Sequence, residues 1–234
     1  MAWGTALTDI IRHLPLSYGD TYADADLVTY GHETTHGINS HARNNLNRTG
    51  RRANGFYCMS DRVAIVIEPN IRKSAVAGFV PNSLRGSRFA LYITGSPDWD
   101  DTPLYVFDEW VAYTNGSEVA MSLTREGLWR YGWRDAVAGS LEFTIYALAT
   151  AMAVEAGDPA YFRDNAQFRA FVAWNAQRAM DLFRAGATNG NFQWAQQDQL
   201  LRSLQTSNDA NAMREFARRV FGRPWAAQVL GLEP

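Results

Sequence analysis

The chain has 234 residues, 47% of them hydrophobic and 13% aromatic, which is enough apolar material for a sizeable core and excludes wholesale disorder. Its formal net charge of −2 argues against a protein built to hold a nucleic-acid backbone, which would be basic. Cys58 is the only cysteine, so neither an intrachain disulfide nor a cysteine-based zinc site can form.

Residues 1–16 lack a basic segment followed by an apolar run and do not read as a signal peptide. No stretch approaches the roughly 20 apolar residues of a membrane span. The expectation is a soluble chain, cytoplasmic or exported by a leaderless route. Asp24 or Asp26 reads as the N-cap of a helix that runs through Asn45. Residues 47–55 (NRTGRRANG) read as a loop, in which Arg48, Arg51 and Arg52, with Arg43 before them, form a solvated basic patch. Residues 56–68 contain the β-branched run Val63-Ala64-Ile65-Val66-Ile67 and read as a strand. Residues 74–80 and 88–94 are further strand candidates. Residues 95–103 (GSPDWDDTP) carry strong turn chemistry.

From Leu104 the pattern becomes helical, with Pro103 suited to a first turn. Helices are expected over residues 104–124, 135–156, 159–185 (closed by Gly186), 192–204 and 209–221. The sum is an α+β fold: a helix, a small antiparallel sheet and a helical C-terminal half.

The chemistry lies in the first helix. The run His32-Glu33-Thr34-Thr35-His36 places two histidines four residues apart, on one helix face. Two imidazoles aimed at one point are what a zinc ion requires, and the glutamate after the first can reach a water held there. The chain has four histidines, and three fall within ten residues. A third ligand is needed. His41 lies roughly 180° around the helix from His32, at about 100° per residue. It does not fit the metzincin spacing either, since glycine follows His36 at one position and histidine at five. Glu109 is the better candidate. It stands in the apolar stretch Val106-Phe107-Asp108-Glu109-Trp110-Val111, where an unpaired carboxylate would be costly. Glu142, also among apolar residues, is the runner-up. Tyr113, one turn beyond Glu109, is placed to donate to a developing oxyanion; a core tyrosine with its hydroxyl at the surface fits equally well. Asp108 either supports a ligand from behind or faces solvent. The chain contains no phosphate-binding glycine loop, dinucleotide fingerprint or serine-nucleophile elbow.

The motif and a later helical glutamate resemble the gluzincin branch of the zincin metallopeptidases. The resemblance covers residues 26–45 and 104–116. It implies His32, His36 and Glu109 as zinc ligands, Glu33 as general base and a peptide or protein as substrate. The expected division is a zincin-like catalytic region over residues 1–134 and a helical region over residues 135–234, the latter either packed on the same domain or forming a separate lobe. One departure is plain: zincins place a sheet before the active-site helix, whereas here the strand-like segments follow it, so an edge of that later sheet is the candidate for aligning substrate. The expected activity is zinc-dependent hydrolysis of a peptide bond. The alternatives are a non-catalytic binding or structural protein on a zincin scaffold, and a toxin-like effector using the same chemistry. No nucleic-acid partner is expected, and the sequence is silent on oligomeric state.

Overall fold

A computed structural model describes residues 2–18 and 23–233. Among these residues the chain is mostly helical, with one small two-stranded antiparallel sheet. The helices are α1 (Gly4–His13), α2 (Leu27–His41), α3 (Tyr105–Arg125), α4 (Ala138–Gly157), α5 (Pro159–Asp164), α6 (Ala166–Ala187), α7 (Ala195–Thr206), α8 (Asn211–Phe221) and α9 (Arg223–Leu230). Strands β1 (Ala53–Tyr57) and β2 (Val63–Ile67) pair in the register Ala53↔Ile67 to Tyr57↔Val63. No helix of the described residues is long and apolar enough to cross a membrane.

Packing divides the chain into two compact units. The first comprises Met1–Glu68, Phe107–Ser140 and Leu182–Gln193; the second comprises Pro69–Val106, Leu141–Asp181 and Trp194–Pro234. In the first unit, α1 buries Ala6, Leu7 and Ile10, three residues on one helical face. β1 is buried along its whole length, while β2 is exposed at Val63 and closes against Val66. In the second unit α4 is buried on nearly every side from Leu141 to Val154, mostly through apolar residues, with Glu142, Thr144 and Thr150 buried among them.

Several expectations are corrected. Residues 74–80 and 88–94 are not strands. The first is a 3-10 segment (Lys73–Phe79) and the second a wide helical turn (Ala90–Thr94). The buried ammonium of Lys73, the chain's one lysine, donates to the carbonyls of Tyr92, Ile93 and Gly95. Those carbonyls end the turn and are satisfied without a sheet. Burial holds the Lys73 pKa below its usual value, with the nearby Asp100 charge opposing. Residues 53–67 form a hairpin, so the expected strand over 56–68 is divided and the expected loop over 47–55 gives way to β1 at Ala53; Met59, Ser60 and Asp61 adopt left-handed backbone and reverse the chain. The expected helix over 159–185 is two helices: the Asn165 side chain accepts from the Phe168 amide and starts α6 anew. Gly186 lies inside α6 instead of closing it. A side chain there would meet Val137 Cγ1 at 2.5 Å.

Candidate metal centre

The motif helix is fixed at its start. The Asp26 carboxylate accepts from the amides of Val28 (3.1 Å) and Thr29 and from the Thr29 hydroxyl (2.9 Å), and it pairs with Arg134. These bonds satisfy amides that a helix end leaves orphaned. The Tyr131 hydroxyl accepts from Leu27 N and donates to the Ala25 carbonyl. One turn later Gly31 permits close approach to α3. A Cβ there would meet Val119 Cγ2 at 2.7 Å and Ile10 Cδ1 at 3.4 Å. The next residue is His32, so this contact sets how deeply the motif is seated.

His32 and His36 are half-buried on one face of α2, and Glu109 is buried on α3. Their Nε2 atoms are 3.2 Å apart, and Glu109 Oε2 lies 3.6 Å from each. The three atoms stand close enough to hold one metal ion. Two bonds of about 2.0–2.1 Å meeting at a tetrahedral angle put their ligand atoms about 3.3–3.4 Å apart. The observed separations bracket that spacing. Glu109 Oε2 is buried and, among the described residues, accepts no hydrogen bond. A buried carboxylate oxygen without a donor is costly, so the donor set and its unsatisfied oxygen both fit a cation.

Asp108 is not exposed to solvent. Its Oδ1 accepts from His36 Nδ1 at 3.0 Å and from Asn39 Nδ2 at 2.6 Å, and Arg43 Nη1 stands 3.8 Å from its Oδ2. The bond to Nδ1 fixes the ring and the tautomer and leaves Nε2 to face Glu109. Burial of His36 favours the neutral ring. The Asp108 charge and hydrogen bond, with the Glu109 carboxylate, outweigh it and hold the pKa well above 6.5. His32 is held by the ring of Tyr113, which stands edge-on at 4.5 Å between centroids.

Glu33 differs from Glu109 in its surroundings. Its side chain is 41% exposed, and Oε1 lies 3.9 Å from His32 Nε2, at the rim of the group and not inside it. Burial raises its pKa above the usual carboxylate range; a protonated His36 opposes the rise and the Glu109 carboxylate adds to it.

Among the described residues the group includes neither His41 nor Glu142. His41 is in the last turn of α2, with Nδ1 against Asn45 Nδ2. The helix runs unbroken through Gly37, so His41 stays off the His32 face. Glu142, in the second unit, has its own partners. It accepts from the Arg88 amide, the Arg88 guanidinium and the Tyr146 hydroxyl. Arg43, expected in a solvated patch, is instead half-buried and donates to Asn54 Oδ1. Asn39 was missed by sequence reasoning, although its place three residues after His36 puts it on the same face. Compared with protein-family models, with curated proteins and with solved structures, the chain gives no match.

Proposed function

We propose that this chain is a zinc-dependent hydrolase acting on a peptide or a related amide bond. The observation that carries the reading is the buried, unsatisfied Glu109 Oε2 held 3.6 Å from two imidazole Nε2 atoms. His32, His36 and Glu109 would hold the ion. Three protein ligands leave a position open, as catalytic zinc sites do, and an all-nitrogen-and-oxygen set of two histidines and a carboxylate suits zinc. A zinc ion bound there supplies Lewis acidity, polarising a carbonyl and making water acidic enough to lose a proton near neutral pH.

The remaining steps belong to the protein. Glu33, at the rim, orients the attacking water and takes its proton on a carboxylate oxygen. The carboxylic acid so formed can return that proton to the leaving amine, which is the more basic group. Tyr113, whose ring braces His32, donates its hydroxyl to the oxyanion that develops on the substrate carbonyl. Asp108 keeps the His36 ring from turning.

The test uses a broad peptide pool and the zinc-loaded protein. Glu33→Gln keeps the shape of the side chain and removes the base. The expected result is unchanged zinc content and fold, with turnover lower by roughly 10²-fold or more. Equal cleavage by the two proteins ends the catalytic reading. A variant that has lost its zinc would make Glu33 a ligand and not a base.

A further inference from the structure

Tyr57, the last residue of β1, faces away from β2. It sits opposite Val63, and the next ladder bond is from Cys58 N to Arg62 O. In an antiparallel strand the N–H and C=O of one residue point to the same side, so both polar groups of Tyr57 lie on the outer edge of the hairpin. Two asparagine side chains take them. Asn39 Oδ1 accepts from Tyr57 N at 2.7 Å, and Asn115 Nδ2 donates to Tyr57 O at 2.9 Å. Together they replace the peptide of a neighbouring strand and close an edge that would otherwise be open.

The two asparagines differ in what they do next. Asn115, on α3, turns its amide to Thr35 Oγ1 at 3.1 Å, and Thr35 in turn donates to the Gly31 carbonyl. Asn39, on α2, turns its amide to Asp108 Oδ1 at 2.6 Å, the oxygen that also accepts from His36 Nδ1. Because Tyr57 N is a donor, Asn39 must present its oxygen there, and its nitrogen is then forced toward Asp108. The orientation of the amide is thus set by the backbone of the hairpin. Both asparagines are fully buried, so water does not substitute for either bond.

We propose that Asn39 is a positioning residue of the metal centre, tying the hairpin backbone at Tyr57 to the Asp108 carboxylate that orients His36. The proposal rests on the metal reading given above. It makes the hairpin part of the site although no hairpin residue is a ligand. Asn115 is the internal control: it grips the same residue of the same strand but does not touch Asp108.

The experiment measures zinc affinity by competition with a chromophoric chelator, thermal stability, and the visible spectrum of the cobalt(II)-loaded protein. It compares the wild type with Asn39→Ala, Asn39→Ser and Asn115→Ala. Both alanine variants should lose stability. Only loss of Asn39 should weaken zinc, by about ten-fold or more, as expected for a partner behind a metal-ligating histidine. The cobalt spectrum should change with Asn39 and not with Asn115. Asn39→Ser, which keeps a hydroxyl in the buried space, serves if the alanine variant does not fold, and it should show the same loss. Wild-type zinc affinity in a stable Asn39 variant, or equal losses in the Asn39 and Asn115 variants, overturns the positioning role alone. A wild-type protein that takes up no zinc overturns the metal reading and this inference with it.

Discussion

At the scale of single residues, the candidate centre is a matter of which polar atoms have partners. Glu109 and Glu142 are both buried glutamates in apolar helices, and their sequences give the same signal. The structure separates them by neighbour: Glu142 meets Arg88 at 2.9 Å, while Glu109 Oε2 stands 3.6 Å from two imidazole nitrogens and, among the described residues, has no hydrogen-bond donor. The motif was legible because its chemistry is local, two histidines four positions apart on one helix. The third group was legible only as a shortlist, since a partner that lies far along the chain, Glu109 against His32 and His36, leaves no trace in spacing. Asp108 was undecided for the same reason. Two expectations follow. Asp108→Asn removes the anionic acceptor behind His36 and should weaken zinc by about 10–100-fold while the fold survives; unchanged affinity in a chelator competition would remove Asp108 from the site. Tyr113→Phe keeps the ring against His32 and deletes the hydroxyl. It should keep zinc and lower kcat by about 10²-fold if that hydroxyl serves the oxyanion. An unchanged kcat would leave Tyr113 as a packing residue.

At the scale of elements, α2 was readable because its cap, Asp26, and its motif obey local rules. The strands expected at 74–80 and 88–94 failed because long-range contacts decided them, the Lys73 ammonium above all. β-propensity is a preference for a half-buried surface, and no sheet supplied that surface here. The hairpin turn was also hidden, since three successive residues take left-handed backbone and, of them, Met59 and Ser60 do not favour it without support, although Asp61 does. That support comes from α1. Asp9 Oδ2 accepts from Ser60 N and from the Tyr57 hydroxyl, and His13 Nε2 bonds Asp61 Oδ1 at 2.6 Å. Burial opposes charge on His13, but hydrogen bonds to Asp61 and to the Asp9 carbonyl, with both carboxylates nearby, raise its pKa above 6.5. A raised folded-state pKa stabilises the fold below the unfolded value and loses that contribution as pH rises through the folded value. Burial of Asp9 is likewise outweighed, by Ser60, Tyr57 and His13, so its pKa falls below 3.8; its contribution is present above that value and is lost as pH falls through the lowered one. Denaturant unfolding should therefore show stability declining as pH rises above 6.5, and His13→Gln should flatten that decline. A wild-type slope identical to that of the variant would show that His13 does not clamp the turn. In the same unit, Gly31→Ala forces a methyl group against Val119 and should cost about 1–3 kcal/mol by denaturant unfolding. A neutral result would mean that α2 can move away from α3.

At the scale of the whole molecule, the helical C-terminal half and the order of its helices were readable from period and breakers. The extent of sheet was not, nor was helix α9, although Pro224 in its first turn and left-handed Gly231 at its end are the signals that mark one. The two compact units interleave in sequence, each drawing on three segments, and no composition shift marks such a division. All of the proposed site (His32, Glu33, His36, Asp108, Glu109 and Tyr113) falls in the first unit, and the Glu142–Arg88 pair falls in the second. Arg88→Met strands a buried carboxylate and should destabilise by about 3–5 kcal/mol, yet leave zinc content per folded chain unchanged; loss of zinc would implicate Glu142 in the site. The central claim, that His32, His36 and Glu109 together hold one zinc ion, is tested most directly by elemental analysis of protein supplied with zinc and freed of excess. The expected result is about one zinc per chain, lost in His32→Ala and His36→Ala and weakened in Glu109→Gln, with zinc retained in Glu142→Gln. A wild-type chain that stays free of metal when zinc is supplied, or a Glu109→Gln variant that binds zinc as tightly as the wild type, would contradict it.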